Sequence, residues 1–180
     1  MAMPFAIQLF IDPASDTVIR SVWKELAGTG KTSYMHDSGN RPHFSLAIYR
    51  ELDSTVCQGR LQSFAEQHPP FGLTIQSLGL FHAEQAVMFL APVVTANLLD
   101  LHLRVHQLLQ DIGTSPGANY LPERWTPHCT LAMHMPTSLV TQVVEVGLRL
   151  PFPLSFHIEE IGVIEYPPVK HLFAFRLAGG

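Results

Sequence analysis

The chain has 180 residues, 47% apolar and only 14% charged against a usual charged share of about 25%, which excludes intrinsic disorder and implies a substantial core within one domain. Eleven Lys and Arg against fifteen Asp and Glu give a formal charge of −4, so the surface as a whole is no trap for polyanions; a nucleic acid would need a local basic site, and duplex DNA is not an expected partner. The longest apolar stretch, residues 86–99, is broken by Pro92, Thr95 and Asn97 and falls short of the roughly 20 residues a membrane helix needs, and residues 1–5 lack the basic start of a signal peptide, so a cytoplasmic protein without membrane contact is expected.

Taken in chain order, Phe5–Ile11 is an apolar run that reads as a strand. It stops at Asp12-Pro13, where Asp12 suits a helix N-cap and Pro13 the first helical position. Val18, Val22 and Leu26 then form a helical stripe, and Gly28 reads as its closing glycine. A strand from His43 to Tyr49 leads to a second capping signal, Asp53-Ser54, and to a helix carrying Leu61 and Phe64 that Pro69 ends. Phe71–Phe81 alternates apolar and polar as a half-buried strand does. The second half repeats the order. A strand over 86–91 precedes a helix with the stripe Leu98, Leu101, Val105, Leu108 and Ile112, and Gly113 occupies the place of Gly28. A strand from His128, a valine-rich helix over 137–148, a long strand over 152–166 and a last strand over 171–177 complete the reading.

The halves also match residue by residue. Pro42-His43-Phe44-Ser45-Leu46-Ala47 returns as Pro127-His128-Cys129-Thr130-Leu131-Ala132, and Leu78-Gly79 returns as Ile161-Gly162. Several matches in one order argue for a duplication, with repeats over about 5–81 and 86–165. Side chains alternate on a strand, so His43 and Ser45 share one face, as do His128 and Thr130. If a pseudo-twofold relates the halves, two imidazoles and two hydroxyls meet in one cleft. That set suits phosphodiester cleavage: one imidazole takes a proton from the attacking oxygen, the other gives one to the leaving oxygen, and the hydroxyls hold the phosphate oxygens. This chemistry uses no metal or other cofactor.

The paired H-x-S/T motifs, His43-Phe44-Ser45-Leu46 and His128-Cys129-Thr130-Leu131, resemble those of the two-histidine (2H) phosphoesterases, which include the bacterial 2'-5' RNA ligase-like proteins and the RNA 2',3'-cyclic phosphodiesterases. The resemblance covers nearly the whole chain. It implies an α+β fold of the LigT-like kind, duplicated β-α-β-α-β in two lobes, with antiparallel sheets around a central cleft. It further implies His43 and His128 as the acid-base pair and Ser45 and Thr130 as phosphate-binding residues. The expected activity is a metal-independent phosphodiesterase on a 2',3'-cyclic phosphate or related small-nucleotide or RNA-end phosphodiester, with 2'-5' ligation a further activity of the family and a monomer as the working unit. A nucleotide or RNA-end binding module without turnover is the alternative.

The segments 28–41 and 113–126 precede the two motifs at equal length and are expected to rim the cleft with Lys31, Tyr34, Arg41, Tyr120, Arg124 and Trp125, a mixture of cations and aromatics suited to phosphate and base. Tyr166 and Lys170, between the last two strands, are expected to join them. Other features read as structural. Gly30-Lys31-Thr32 imitates the end of a P-loop, but it follows a helix and has Glu25 where the first glycine belongs. His102 and His106, at i and i+4, read as a wet helix flank, and Cys57 and Cys129 as small buried apolar residues.

Overall fold

The structure is a computed structural model and describes residues 3–82 and 85–179. Strand β1 (Phe5–Ile11) gives way to helix α1 (Pro13–Gly28) at Asp12, whose carboxylate accepts hydrogen bonds from the Ser15 N–H at 2.9 Å, the Ser15 hydroxyl at 2.6 Å and the His157 N–H at 2.9 Å. The buried stripe of α1 is Ile19, Val22, Trp23 and Leu26, one turn-spaced face. Val18, expected on that stripe, lies on the neighbouring face and is 39% exposed. Gly28 ends the helix, but the left-handed residue that follows is Gly30, at φ +69°. A four-residue helix α2 (Tyr34–Asp37) then precedes β2 (His43–Leu52), and Asp53 caps α3 (Ser54–Gln67) through the Thr55 and Val56 N–H groups. Strand β3 is Phe71–Phe81 and β4 is Ala86–Pro92.

Helix α4 (Ala96–Leu109) buries Leu98, Leu101, His102, Val105 and Leu109. Leu109 therefore takes the place expected for Leu108, and Ile112 lies beyond the helix. Gly113 does not close α4. It opens a short strand β5 (Gly113–Pro116) that pairs with the far end of β2, with Gly113 opposite Leu52. A Cβ on Gly113 would stand 2.5 Å from the Tyr49 ring, which is why only glycine fits there. The two pre-motif segments thus have equal length but different structure. Strand β6 (Cys129–Met135) is followed by a single 3₁₀ turn and α5 (Val140–Gly147), then by β7 (Leu154–Glu165) and β8 (Lys170–Arg176). The valine-rich segment is helical because Val143 and Val146 pack inward on tertiary contacts that override β propensity.

All pairings are antiparallel, and the strands form one open sheet in the order β5-β2-β1-β7-β3-β4-β6, with β8 added on β7. The separate sheets expected from the repeat are joined through β7. Its Ile158 pairs with Ile11 on one side and Phe71 on the other, so its first part continues toward β3 and its second part toward β1 and β8. Each half consequently contributes its third strand to the other half's sheet: β7 lies against β1, and β3 against β4. The end strand β6 comes back alongside β2, and the buried Cys129 lies against the backbone of His43. Phe44, Leu46, Leu61, Met88, Leu90 and Phe156 are fully buried in the shared core, each contributing about 1.5–3 kcal/mol of hydrophobic stabilisation. No described helix is long and apolar enough to cross a membrane.

Candidate active site

Both motif strands carry a bulge at the same place. On β2, Ser45 pairs with Gln8 and Ala47 with Ile7, leaving Leu46 as the extra residue; on β6, Thr130 pairs with Phe89 and Ala132 with Met88, leaving Leu131 as the extra residue. A bulge shifts the alternation of faces by one. The residues that line the cavity are accordingly His43, Ser45 and Ile48 on β2 and His128, Thr130 and Met133 beside and on β6. The cavity holds about 560 Å³, and all four motif side chains reach it. Its described lining contains no carboxylate and one guanidinium, that of Arg124.

The imidazoles are fixed alike. His43 Nδ1 lies 2.6 Å from the Arg41 carbonyl, and His128 Nδ1 lies 2.7 Å from the Thr126 carbonyl, in each case two residues upstream. A carbonyl only accepts, so Nδ1 carries the proton and donates it, and Nε2 is left for proton exchange. Burial holds both imidazoles below the ordinary histidine value. For His43 burial, with the like charges of His128 and His171 acting the same way, lowers the pKa to about 4 against the opposing pull of the Arg41 carbonyl. His128 is lowered by burial and sustained by the Thr126 carbonyl, and it packs edge-on to Phe81 and Phe89 at ring distances of 4.9 and 5.4 Å.

The hydroxyl residues are braced crosswise. Trp125 Nε1 donates to the Ser45 carbonyl at 2.9 Å, and Trp23 Nε1 donates to the Thr130 carbonyl at 3.1 Å. These are the chain's two tryptophans, and each serves the motif of the other half. The bulged Leu46 carbonyl accepts from His102 Nε2 at 2.9 Å and His106 Nε2 at 3.1 Å, and the Met133 carbonyl accepts from the Thr32 hydroxyl at 3.0 Å. Beside the motifs, side chains do the hydrogen bonding that a further strand would do, since a buried carbonyl left without a partner is costly.

Several sequence expectations are corrected here. His102 is no wet flank: it is 1% exposed, stacked on Trp125 at 3.9 Å and 2°, and burial lowers its pKa to about 4. Trp125 is buried bracing and not rim. Arg41 points away from the cavity, bound to Glu160 at 2.7 Å with its guanidinium carbon 4.2 Å from the Phe10 ring centre. Lys31 does not line the cavity, and Lys170 is exposed beside Glu165 at 3.5 Å. Of the eight rim residues, Tyr34, Tyr120, Arg124 and Tyr166 do line it. Cys57 and Cys129 are buried, which pushes both thiols up to about 12. Gln8 and Asn40 also line the cavity and were not anticipated; the available signal for Gln8 was its position as the one polar residue in the apolar run Phe5–Ile11.

Comparison with known proteins agrees with this architecture. The sequence profile of the 2'-5' RNA ligase superfamily matches residues 14–169. Among curated proteins no sequence matches significantly. Among solved structures, TT0787 of Thermus thermophilus superposes with a TM-score of 0.64 at 18% identity, covering 98% of this chain and 99% of that one. E. coli LigT complexed with 3'-AMP gives 0.62 at 16%, covering 97% and 98%, and Kluyveromyces marxianus Usb1 gives 0.54 at 10%, covering 98% of both. At these identities the likeness is one of fold. With the family profile spanning most of its length, the chain belongs to the 2'-5' RNA ligase superfamily, a family of two-histidine phosphoesterases, and membership supports a phosphodiesterase type of activity.

Proposed function

We propose that this chain opens the cyclic phosphate of a small nucleoside 2',3'-cyclic phosphate, or of a short RNA end bearing one, by acid-base catalysis between His43 and His128. The observation that carries this reading is the matched pair of Nδ1 to carbonyl bonds, which turn both Nε2 atoms into proton carriers on one cavity that also contains Ser45 and Thr130. His43, the more strongly depressed imidazole, is neutral near pH 7 and acts as base. Its Nε2 takes a proton from water as the water oxygen attacks phosphorus. The bond from phosphorus to one ribose oxygen breaks, and that oxygen takes the proton carried by His128 Nε2. One water is consumed and a nucleoside monophosphate is released. Ser45 and Thr130 donate hydrogen bonds to the non-bridging oxygens, where negative charge grows in the transition state.

The charge of the cavity favours a small substrate: one guanidinium and the imidazoles of His43, His82 and His128 match a single diester anion better than a long polyanion. The E. coli protein of the same fold was crystallised with 3'-AMP, which is one of the two products of opening adenosine 2',3'-cyclic phosphate. The deciding experiment is turnover of the four nucleoside 2',3'-cyclic phosphates by protein pre-treated with EDTA. Conversion to a 2'- or 3'-monophosphate is the expected result. Tight binding without conversion would support the non-catalytic binding module instead.

A further inference from the structure

Gln8 is a polar group of the cavity that has no task in this chemistry. Gln8 is 2% exposed, lines the cavity, and its Oε1 has no hydrogen-bond partner among the described residues. A buried acceptor left unpaired destabilises a protein, so such atoms are rare and tend to mark a place where a ligand binds. The fold itself does not demand an amide here. In the second half the position opposite the hydroxyl residue, equivalent to that of Gln8, holds Phe89, which is apolar and 6% exposed.

The register shows what Gln8 faces. Along the floor made by β1, β2 and β7, the cross-strand rows run from Phe10 and His43, through Gln8 and Ser45, to Ala6, Ile48 and Ile164. The polarity therefore passes from imidazole, to hydroxyl with amide, to an apolar floor, with Tyr120 and Tyr166 also lining the cavity. A nucleotide has the same order of phosphate, sugar and base. With the phosphate between the imidazoles and the base on the apolar row, the amide stands beside the sugar.

We propose that Gln8 reads the ribose: its Oε1 accepts a hydrogen bond from the sugar hydroxyl next to the phosphate, and this selects ribonucleotides over deoxyribonucleotides. The inference rests on the nucleotide reading of the cavity and adds a discriminating residue to it. In a 2',3'-cyclic phosphate both vicinal oxygens are esterified, so the donor exists only once the ring has opened. Gln8 is thus expected to bind the product side of the reaction, and the cleanest test uses product-like nucleotides at equilibrium.

The experiment is calorimetric titration of the full chain with adenosine 3'-phosphate and with 2'-deoxyadenosine 3'-phosphate, which differ only in the hydroxyl. The wild type is expected to bind the ribonucleotide about tenfold more tightly, the worth of one neutral hydrogen bond. In Gln8→Leu that ratio is expected to fall to about 1, because the apolar side chain offers no acceptor, and in Gln8→Glu it is expected to persist even where both affinities drop. Circular dichroism checks folding, and Gln8→Met serves if the leucine variant does not fold. Equal affinities in the wild type, or a preference that survives in Gln8→Leu, would overturn the role of Gln8 and leave the nucleotide site standing. Failure of the wild type to bind either nucleotide would overturn the nucleotide reading and this inference together.

Discussion

His43 and His128 stand on one scaffold in different surroundings. Each donates Nδ1–H to a carbonyl two residues back, each is followed two residues later by a hydroxyl residue and then by a bulged leucine, and each hydroxyl residue has its carbonyl held by a tryptophan from the other half. The environments then diverge. Around His43 stand Gln8 and the Arg41–Glu160 pair over Phe10, whereas Phe81 and Phe89 stand edge-on to His128. The two sites share what aims the groups and differ in what tunes them. Two equivalent imidazoles would be interchangeable; two that differ in burial and neighbours can divide base from acid.

The strongest test of that division is removal of each imidazole. His43→Ala and His128→Ala should each lower kcat/KM for a cyclic nucleotide by about 10² to 10⁴ with the fold intact. A diester with a nitrophenolate leaving group sharpens the comparison, because nitrophenolate departs without protonation. On that substrate His128→Ala should recover most of its loss and His43→Ala none. Equal recovery by both variants would mean the two histidines are not specialised.

The hydroxyls come next. Ser45→Ala and Thr130→Ala should cost roughly 10 to 10³ in kcat, less than the histidines because each removes one donor among several. Their losses should be similar, since the backbone behind each is braced in the same way. A loss confined to one variant, with the other near wild type, would show that the phosphate leans on one half only.

How far these groups were legible in the sequence follows from what sets each of them. Alternation along a strand is local, so His43 with Ser45 and His128 with Thr130 could be placed on shared faces from spacing alone, and the caps Asp12 and Asp53 were readable for the same reason. The bulges at Leu46 and Leu131 were not, because an extra residue is defined by the partner strand. The crosswise tryptophans were likewise hidden: Trp125 reads as an exposed aromatic until its 80-residue reach to Ser45 is known. Arg41 failed as a rim cation for a similar reason, its partner Glu160 being 119 residues away. Swapping β3 and β7 between the halves is a choice between pairings of nearly equal local sequence, which only the assembled core decides.

The bracing predicts a milder effect. Trp125→Phe and Trp23→Phe keep an aromatic in the core and leave the Ser45 or Thr130 carbonyl unpaired, which should cost about 1–3 kcal/mol of unfolding free energy by urea titration, with kcat/KM lowered by less than tenfold. If the indoles merely fill space, phenylalanine will cost only volume, and the two variants will differ from each other by packing and not share a common loss.

The smallest effect is a displacement of the pH profile, and its direction follows from burial. On the proposed division of roles, kcat/KM in the free protein needs His43 neutral and His128 protonated. His43 is lowered to about 4, so the base is lost only as the pH falls through about 4; His128 is lowered below the ordinary value of 6.5, so the acid is lost before neutrality is passed. The maximum of kcat/KM should therefore lie between pH 4 and 6.5, and the limbs belong to the coupled pair. A bound phosphodiester anion favours both imidazolium forms, so the kcat profile should sit on the alkaline side of the kcat/KM profile. His171→Gln removes one of the like charges that lower His43 and should raise the acid limb by about a few tenths of a unit while leaving the alkaline limb in place. Folding has to be followed alongside, with the sign worked out. His43, His102, His106 and His128 all have folded-state values below 6.5, so as the pH drops below 6.5 the unfolded chain takes up protons first and stability falls toward pH 4. Circular dichroism at each pH separates that loss from titration of the base. A kcat/KM maximum above about pH 7 in the folded protein would show that burial does not set the working protonation states, and the contrast between the two halves would then lie in substrate contacts alone.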